Sequence, residues 1–214
     1  MKTLYFDCSS GISGNMTLGA LLEIVGDNNY LLEELKKLNV DGYRIEISNK
    51  VKNGITGKYV DVILEHDEHT HDDYHEHEHH HHAHRNLNDV NEIIDKSSID
   101  EKSKELAKRI FLRVAKAESK VHNKPLEEVH FHEVGAIDSI VDIVGTAILV
   151  NKINPDKIMS SIVNDGYGFI ECAHGTMPVP VPATSEIFAA SSVKFRQIDV
   201  DTELVTPTGA AIIA

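Results

Sequence analysis

Cysteine is scarce: Cys8 and Cys172 are the two in 214 residues, too few for a disulfide framework and in keeping with a reducing compartment. Cations are outnumbered, with 21 Lys and Arg against 34 Asp and Glu and a formal charge of -13 with His neutral. That balance argues against nucleic acid as a partner, because a phosphate backbone needs clustered Lys and Arg. A long apolar run is missing as well. The longest, residues 134–150, is interrupted by Asp138 and Asp142 and falls short of the ~20 apolar residues a membrane span needs. It reads as a buried helix, and no membrane association is expected. The opening Met1-Lys2-Thr3-Leu4-Tyr5-Phe6 runs into Asp7 with no apolar stretch or cleavage site, so no signal peptide is read and a cytoplasmic location is expected. The chain also has no Cys-x-x-Cys, no Walker A motif, no dinucleotide fingerprint and no readable Ser/His/Asp nucleophile spacing.

What is present is ordinary for a globular protein, 41% hydrophobic and 26% charged, with length enough to bury a core. Residues 2–6 read as a short buried strand, followed by a small-residue turn and a helix over 14–25 that Ser13 can cap. A second helix is predicted over 29–38. The period then changes, and residues 43–48 and 59–64 read as a hairpin around the Asn53-Gly54 turn signal. Helices are predicted over 87–95, 100–121, 135–150 and 183–190, with a strand over 158–163. Alternating prolines hold 177–182 extended. The fold class expected is mixed α+β: helices packed on a small sheet with a β-hairpin. Its expected parts are an N-terminal α/β part (1–65), a mobile, disordered His-rich loop (66–85), and a helical and α/β part of the same domain (86–214).

Histidine is the anomaly. Ten of the 14 fall between His66 and His84, in a stretch with no apolar anchor to offset the entropy of ordering. His77, His79, His80, His81 and His82 stand among acids there. Imidazoles suit nickel, copper, zinc and cobalt, so the tract can gather metal at high capacity and poor geometry; the alternative is a solvated linker or tag. A second constellation is His130-Phe131-His132-Glu133, leading into a helix that carries Asp138 and Asp142. His130 and His132 share a side of an extended chain, and Asp138 and Asp142 share a helix face. These four are candidate metal ligands, with Glu133 or His130 as a candidate base. The alternative is that the acids face solvent or pair with cations, and that Glu133 caps its own helix.

A third segment, Asp7-Cys8-Ser9-Ser10-Gly11-Ile12-Ser13-Gly14, is a Gly-rich turn between strand and helix. Its backbone N–H groups offer an anion cradle, with Asp7, Ser9, Ser10, Gly11, Ser13 and Gly14 as candidate binding residues; a plain structural turn is the competing reading. Fourth are Glu171, Cys172 and His174, with His174 a candidate ligand or a surface residue, and Thr206-Pro207-Thr208-Gly209. The hydroxyls of Thr206 and Thr208 can hold phosphate if a helix starts there. The chain stops in the apolar run Gly209-Ala210-Ala211-Ile212-Ile213-Ala214, which predicts further protein in the same chain or a companion.

These segments, in this order, resemble the N-terminal part of the LarC family of nickel pincer cofactor biosynthesis proteins. The resemblance rests on Tyr5-Phe6-Asp7-Cys8 with Ser10-Gly11-Ile12-Ser13-Gly14, the internal His-rich insertion, residues 129–142, Ala173-His174-Gly175 running into Pro-Val-Pro, and residues 202–211. It implies nickel insertion into pyridinium-3,5-bisthiocarboxylic acid mononucleotide, a CTP-dependent, lyase-type metallation forming the nickel pincer cofactor of lactate racemase. It also implies a C-terminal nucleotide-binding portion that holds CTP with Mg or Mn, in the same chain or a companion, so this chain is expected to be incomplete as an enzyme. A homo-oligomer is compatible with this reading. One departure is Asn15, where the family commonly has Asp; it leaves Asp7 as the candidate acid of that turn. Two other readings stand beside it: a nickel storage or delivery protein whose His tract is the whole function, and a metal-dependent phosphoesterase using the same acids and imidazoles.

Overall fold

The computed structural model describes residues 1–64, 85–131, 134, 136–172 and 174–214. The His-rich tract, with its expected disorder and its candidate ligands His77, His79, His80, His81 and His82, lies outside the described residues, as do His132 and Glu133.

The described chain holds seven α-helices and eight strands, which come in runs along the sequence. Strand β1 (Thr3–Phe6) leads through the Gly-rich turn into α1 (Gly14–Val25) and α2 (Asn28–Lys36). The hairpin is β2 (Tyr43–Lys52) and β3 (Ile55–Leu64). Its strands are longer than the alternation predicts, because Asn53 and Gly54 both take positive φ (53° and 78°) and the ladder runs up to them. After residue 84 come α3 (Leu87–Lys96), α4 (Glu101–His122) and α5 (Ile137–Ile153).

The predicted strand over 158–163 is two strands. β4 (Lys157–Ser160) pairs in parallel with β1, and β5 (Val163–Tyr167) pairs in parallel with β8 (Phe195–Asp201). The chain bends between them at Ser161, whose Oγ accepts from Cys8 N at 2.9 Å, while Asn164 N donates to Cys8 O. A small hairpin, β6 (Phe169–Cys172) with β7 (Gly175–Pro178), precedes α6 (Pro182–Ala189), and α7 (Pro207–Ile213) closes the described chain. The strands form four two-stranded pairs among the described residues.

Helix α5 is the centre of the packing. Ile140, Ile143, Ile148 and Leu149 are fully buried, and the helix touches α1, α2, α4, α7 and β3. Truncating one such side chain to Ala costs about 2–5 kcal/mol. A single hydrophobic cluster includes Leu4 and Leu18 from before the His tract and Phe111, Ile148 and Val205 from after it. No helix among the described residues is long and apolar enough to cross a membrane.

Candidate functional site: an acidic cleft where helix ends meet

A cleft of about 330 Å³ opens where the N-terminal ends of α1, α5 and α7 meet β3. Four carboxylates line it: Asp61 from β3, Asp138 and Asp142 from the first turns of α5, and Glu203 from the segment before α7. The hydroxyl residues Ser13, Ser139, Thr206 and Thr208 line it as well.

Local sequence explains why these ends converge. Ser13 caps α1 by accepting from Met16 N at 3.3 Å, and its Oγ donates to Asn15 Oδ1 at 2.6 Å. Asn15 thus acts as part of the cap rather than as a charge. Gly14 is pressed against α5: a Cβ there would lie 2.1 Å from Asp142 Oδ2, so any larger residue would drive the two helices apart. Thr206 caps α7 by accepting from Gly209 N at 3.2 Å. Helix α5 (Ile137–Ile153) follows Ala136, whose side chain makes no cap hydrogen bond, and its N-terminal end is a region of positive potential at the cleft.

The two ends of the chain are stitched together behind this wall. Ile12 N donates to Leu204 O at 2.9 Å and Thr206 N to Ile12 O at 3.3 Å. Gly11 has φ +85°, and a Cβ there would fall 2.0 Å from Leu204 O. Asp165, fully buried on β5, accepts through Oδ1 from Gly166 N, Leu204 N and Val205 N. That carboxylate holds the strand that presents Glu203 and Thr206.

Asp142 is the perturbed group of the cleft. Burial, followed by the neighbouring charges of Asp138 and Asp61, pushes its carboxyl up from 3.8 to about 7. Its Oδ1 is buried with no hydrogen-bond partner among the described residues. A carboxyl held near neutrality can take or give a proton at working pH, and it gains strongly from a bound cation. The Cys8 thiol is the opposite case, since burial and then Asp7 push it up to about 11, far from a reactive thiolate.

The residues singled out from sequence divide by place. Ser13, Gly14, Thr206, Thr208, Asp138 and Asp142 line the cleft. Asp7, Ser9, Ser10 and Gly11 do not. Asp7 Oδ1 accepts from Ser9 N at 3.0 Å, Ser9 O accepts from Asn164 Nδ2, and Gly11 packs on Leu204. His130 is exposed, bridged to Asn86, and outside the cleft lining. His174 lies at the tip of the β6–β7 hairpin, its ring centroid 5.1 Å from that of His122. Asp61 and Glu203 were not singled out; in sequence each looks like a solvent-facing acid, and no local pattern marks it. Among the described residues, no three His, Cys, Asp or Glu side chains are set as a ready-made metal cage.

The family described as nickel insertion protein matches residues 4–214. A pyridinium-3,5-bisthiocarboxylic acid mononucleotide nickel insertion protein of Acetivibrio thermocellus is 52% identical over 213 residues, covering 100% of this chain and 51% of that protein. Proteins of the same name from Clostridium kluyveri and Lactiplantibacillus plantarum are 49% and 47% identical, each aligned over 100% of this chain and 53% and 52% of their own lengths. The chain spans about half the length of the curated relatives it matches. No solved structure matches it. With a match from residue 4 to residue 214, the chain belongs to the nickel insertion protein family.

Proposed function

We propose that this chain forms the nickel- and precursor-handling part of an enzyme that inserts nickel into pyridinium-3,5-bisthiocarboxylic acid mononucleotide. The observation that carries the reading is Asp142: a carboxyl that burial, then Asp138 and Asp61, push up to about 7, in the wall of a cleft lined by three more carboxylates at the N-terminal end of α5. Ring metallation replaces a carbon–hydrogen bond by a carbon–nickel bond, so a proton must leave as nickel arrives. Asp142 accepts that proton, while Asp61, Asp138 and Glu203 attract the incoming dication. The precursor supplies two thiocarboxylate sulfurs to the metal, which is why an incomplete protein donor set suits the step. Its phosphate is an anion of the kind that helix N-termini favour, and the ends of α1 and α5 are the places for it.

The finer assignments belong to the same proposal. The step is coupled to CTP hydrolysis with Mg or Mn in a C-terminal portion, supplied by the same chain or a companion. The product is the nickel pincer cofactor of lactate racemase, the compartment is the cytoplasm, and a homo-oligomer is compatible with the site. The test mixes the chain with nickel, CTP and precursor, with and without the C-terminal portion of a relative, and follows absorbance of the metallated product. Asp142→Asn is expected to slow product formation ~100-fold, the scale of a lost general base, while leaving precursor binding in place. An unchanged rate overturns the assignment. Turnover of generic phosphate esters without precursor would move the cleft to phosphoesterase chemistry.

A further inference from the structure

A groove of about 530 Å³ lies between α4 and α6 and shares no lining residue with the acidic cleft. Its charge is the reverse of the chain's. Against a formal balance of -13, the α4 wall presents Arg109, Arg113, Lys116 and Lys120, all exposed, and Glu186 of α6 is the acid that lines it.

The spacing fixes how these cations stand. Positions i, i+4, i+7 and i+11 fall on one strip of an α-helix, about 16 Å long at ~1.5 Å per residue. Lys120 pairs with Glu186 across the groove at 2.5 Å. Arg109, Arg113 and Lys116 make no hydrogen bond or ion pair among the described residues. Outside the groove, cations of the same helix do find acids: Lys104 lies 3.0 Å from Glu101, and Lys108 pairs with Asp95 of α3. Like charges one turn apart repel and weaken the helix that carries them, so the strip is stabilised by an anion lying along it. Beside the cations the floor is apolar, with Leu112 and Ala117 from α4 and Ile187 and Ala189 from α6.

Together these features select the occupant. A single phosphate or carboxylate reaches one or two cations, not a strip of about 16 Å. Nucleic acid is opposed by the charge of the rest of the chain. An amphipathic helix satisfies both requirements: its apolar side rests on the floor, and acids at the matching spacing along its flank meet the strip, as flanking charges pair across a coiled coil. Arginine at two of the four positions adds planar, two-pronged recognition of carboxylates. We propose that the α4–α6 groove docks an acidic amphipathic helix of a partner protein. This surface stands apart from metal handling and does not depend on the role of the cleft.

The probe is a fluorescein-labelled peptide of about 18 residues, long enough to turn helical, with Leu along one side and Glu at i, i+4, i+7 and i+11. Fluorescence anisotropy follows its binding to the full chain and to a chain lacking residues 66–84, which removes the acids of that tract as competitors. Saturable binding to both is expected, weakening as salt rises, with none for the same peptide carrying Lys in place of Glu. Arg113→Glu combined with Lys116→Glu is expected to weaken the Glu peptide ~100-fold, about tenfold per reversed charge, and to gain binding of the Lys peptide. That gain shows the double variant to be folded. Asp142→Asn should leave peptide binding unchanged. No binding to either chain overturns the docking surface, and so does equal binding of a Glu peptide whose Leu residues are replaced by Ser. Binding to the shortened chain alone gives the groove to the chain's own acids, and displacement by equimolar inorganic triphosphate makes it a small-polyanion site; either result overturns the partner helix.

Discussion

Replacing Asp142 by Asn should make the protein more stable at neutral pH, and the size of the gain follows from the cleft. Below about pH 4 the carboxyl is protonated in both folded and unfolded chains, so it contributes no difference. As pH rises through the range between 3.8 and about 7, only the unfolded chain ionises it freely, because burial and the charges of Asp138 and Asp61 oppose ionisation in the folded one. Folded stability is therefore lost as pH climbs to about 7 and stays lost above it. At about 1.4 kcal/mol per tenfold change in proton affinity, the raise from 3.8 to about 7 amounts to about 4 kcal/mol. The cleft is open to water, and screening reduces this to about 2 kcal/mol. The assay is urea unfolding of the wild type and Asp142→Asn, without metal, at several pH values from about 4 to 8. The variant's advantage should be near zero at the acid end, open up towards pH 7, and shrink again when nickel is added to the wild type. An advantage that stays flat across this range would refute the argument that Asp142 is a strained carboxyl.

Gly14→Ala places a Cβ 2.1 Å from Asp142 Oδ2 and should cost about 1–3 kcal/mol by overpacking, with precursor binding lost by calorimetry. Asp165→Ala removes the acceptor of three backbone N–H groups and should cost about 3 kcal/mol; hydrogen exchange should then show faster opening of the segment before α7 than of α5. Deleting residues 66–84 removes ten of the 14 histidines and should lower nickel bound per chain in equilibrium dialysis, while metallation at excess nickel continues. Loss of metallation on that deletion would favour the storage reading.

Much of the frame is legible in the amino-acid sequence. Ser13 followed by an apolar helical period marks α1 correctly, and Asn53-Gly54 marks the hairpin turn, because caps and turns are local chemistry. The two acids on an Ile/Val-rich helix pointed to Asp138 and Asp142, since such residues are costly without a purpose. Other parts depend on contacts far along the chain. The break between β4 and β5 is set by Cys8, more than 150 residues away, and the strand-like residues around it carry no sign of the bend. Asp61 reads as the polar face of a hairpin strand, and only the packing of β3 against α1 and α5 turns it into a wall of the cleft. Phe195–Asp201 went unread as a strand because its partner, β5, lies some 30 residues upstream.

The seam between Ile12 and Val205 has a consequence for biogenesis. One wall of the cleft is built around residue 12 and the opposite wall around residue 205, and the hydrogen bonds that join Ile12 to Leu204 and Thr206 form only when both segments have left the ribosome. A nascent chain that has not yet released residues 204–209 thus has α1 to α6 but no cleft. Nickel cannot be captured in the cleft before that point, and a truncation a few residues before α7 is expected to abolish the pocket while leaving the α4–α5 core to fold.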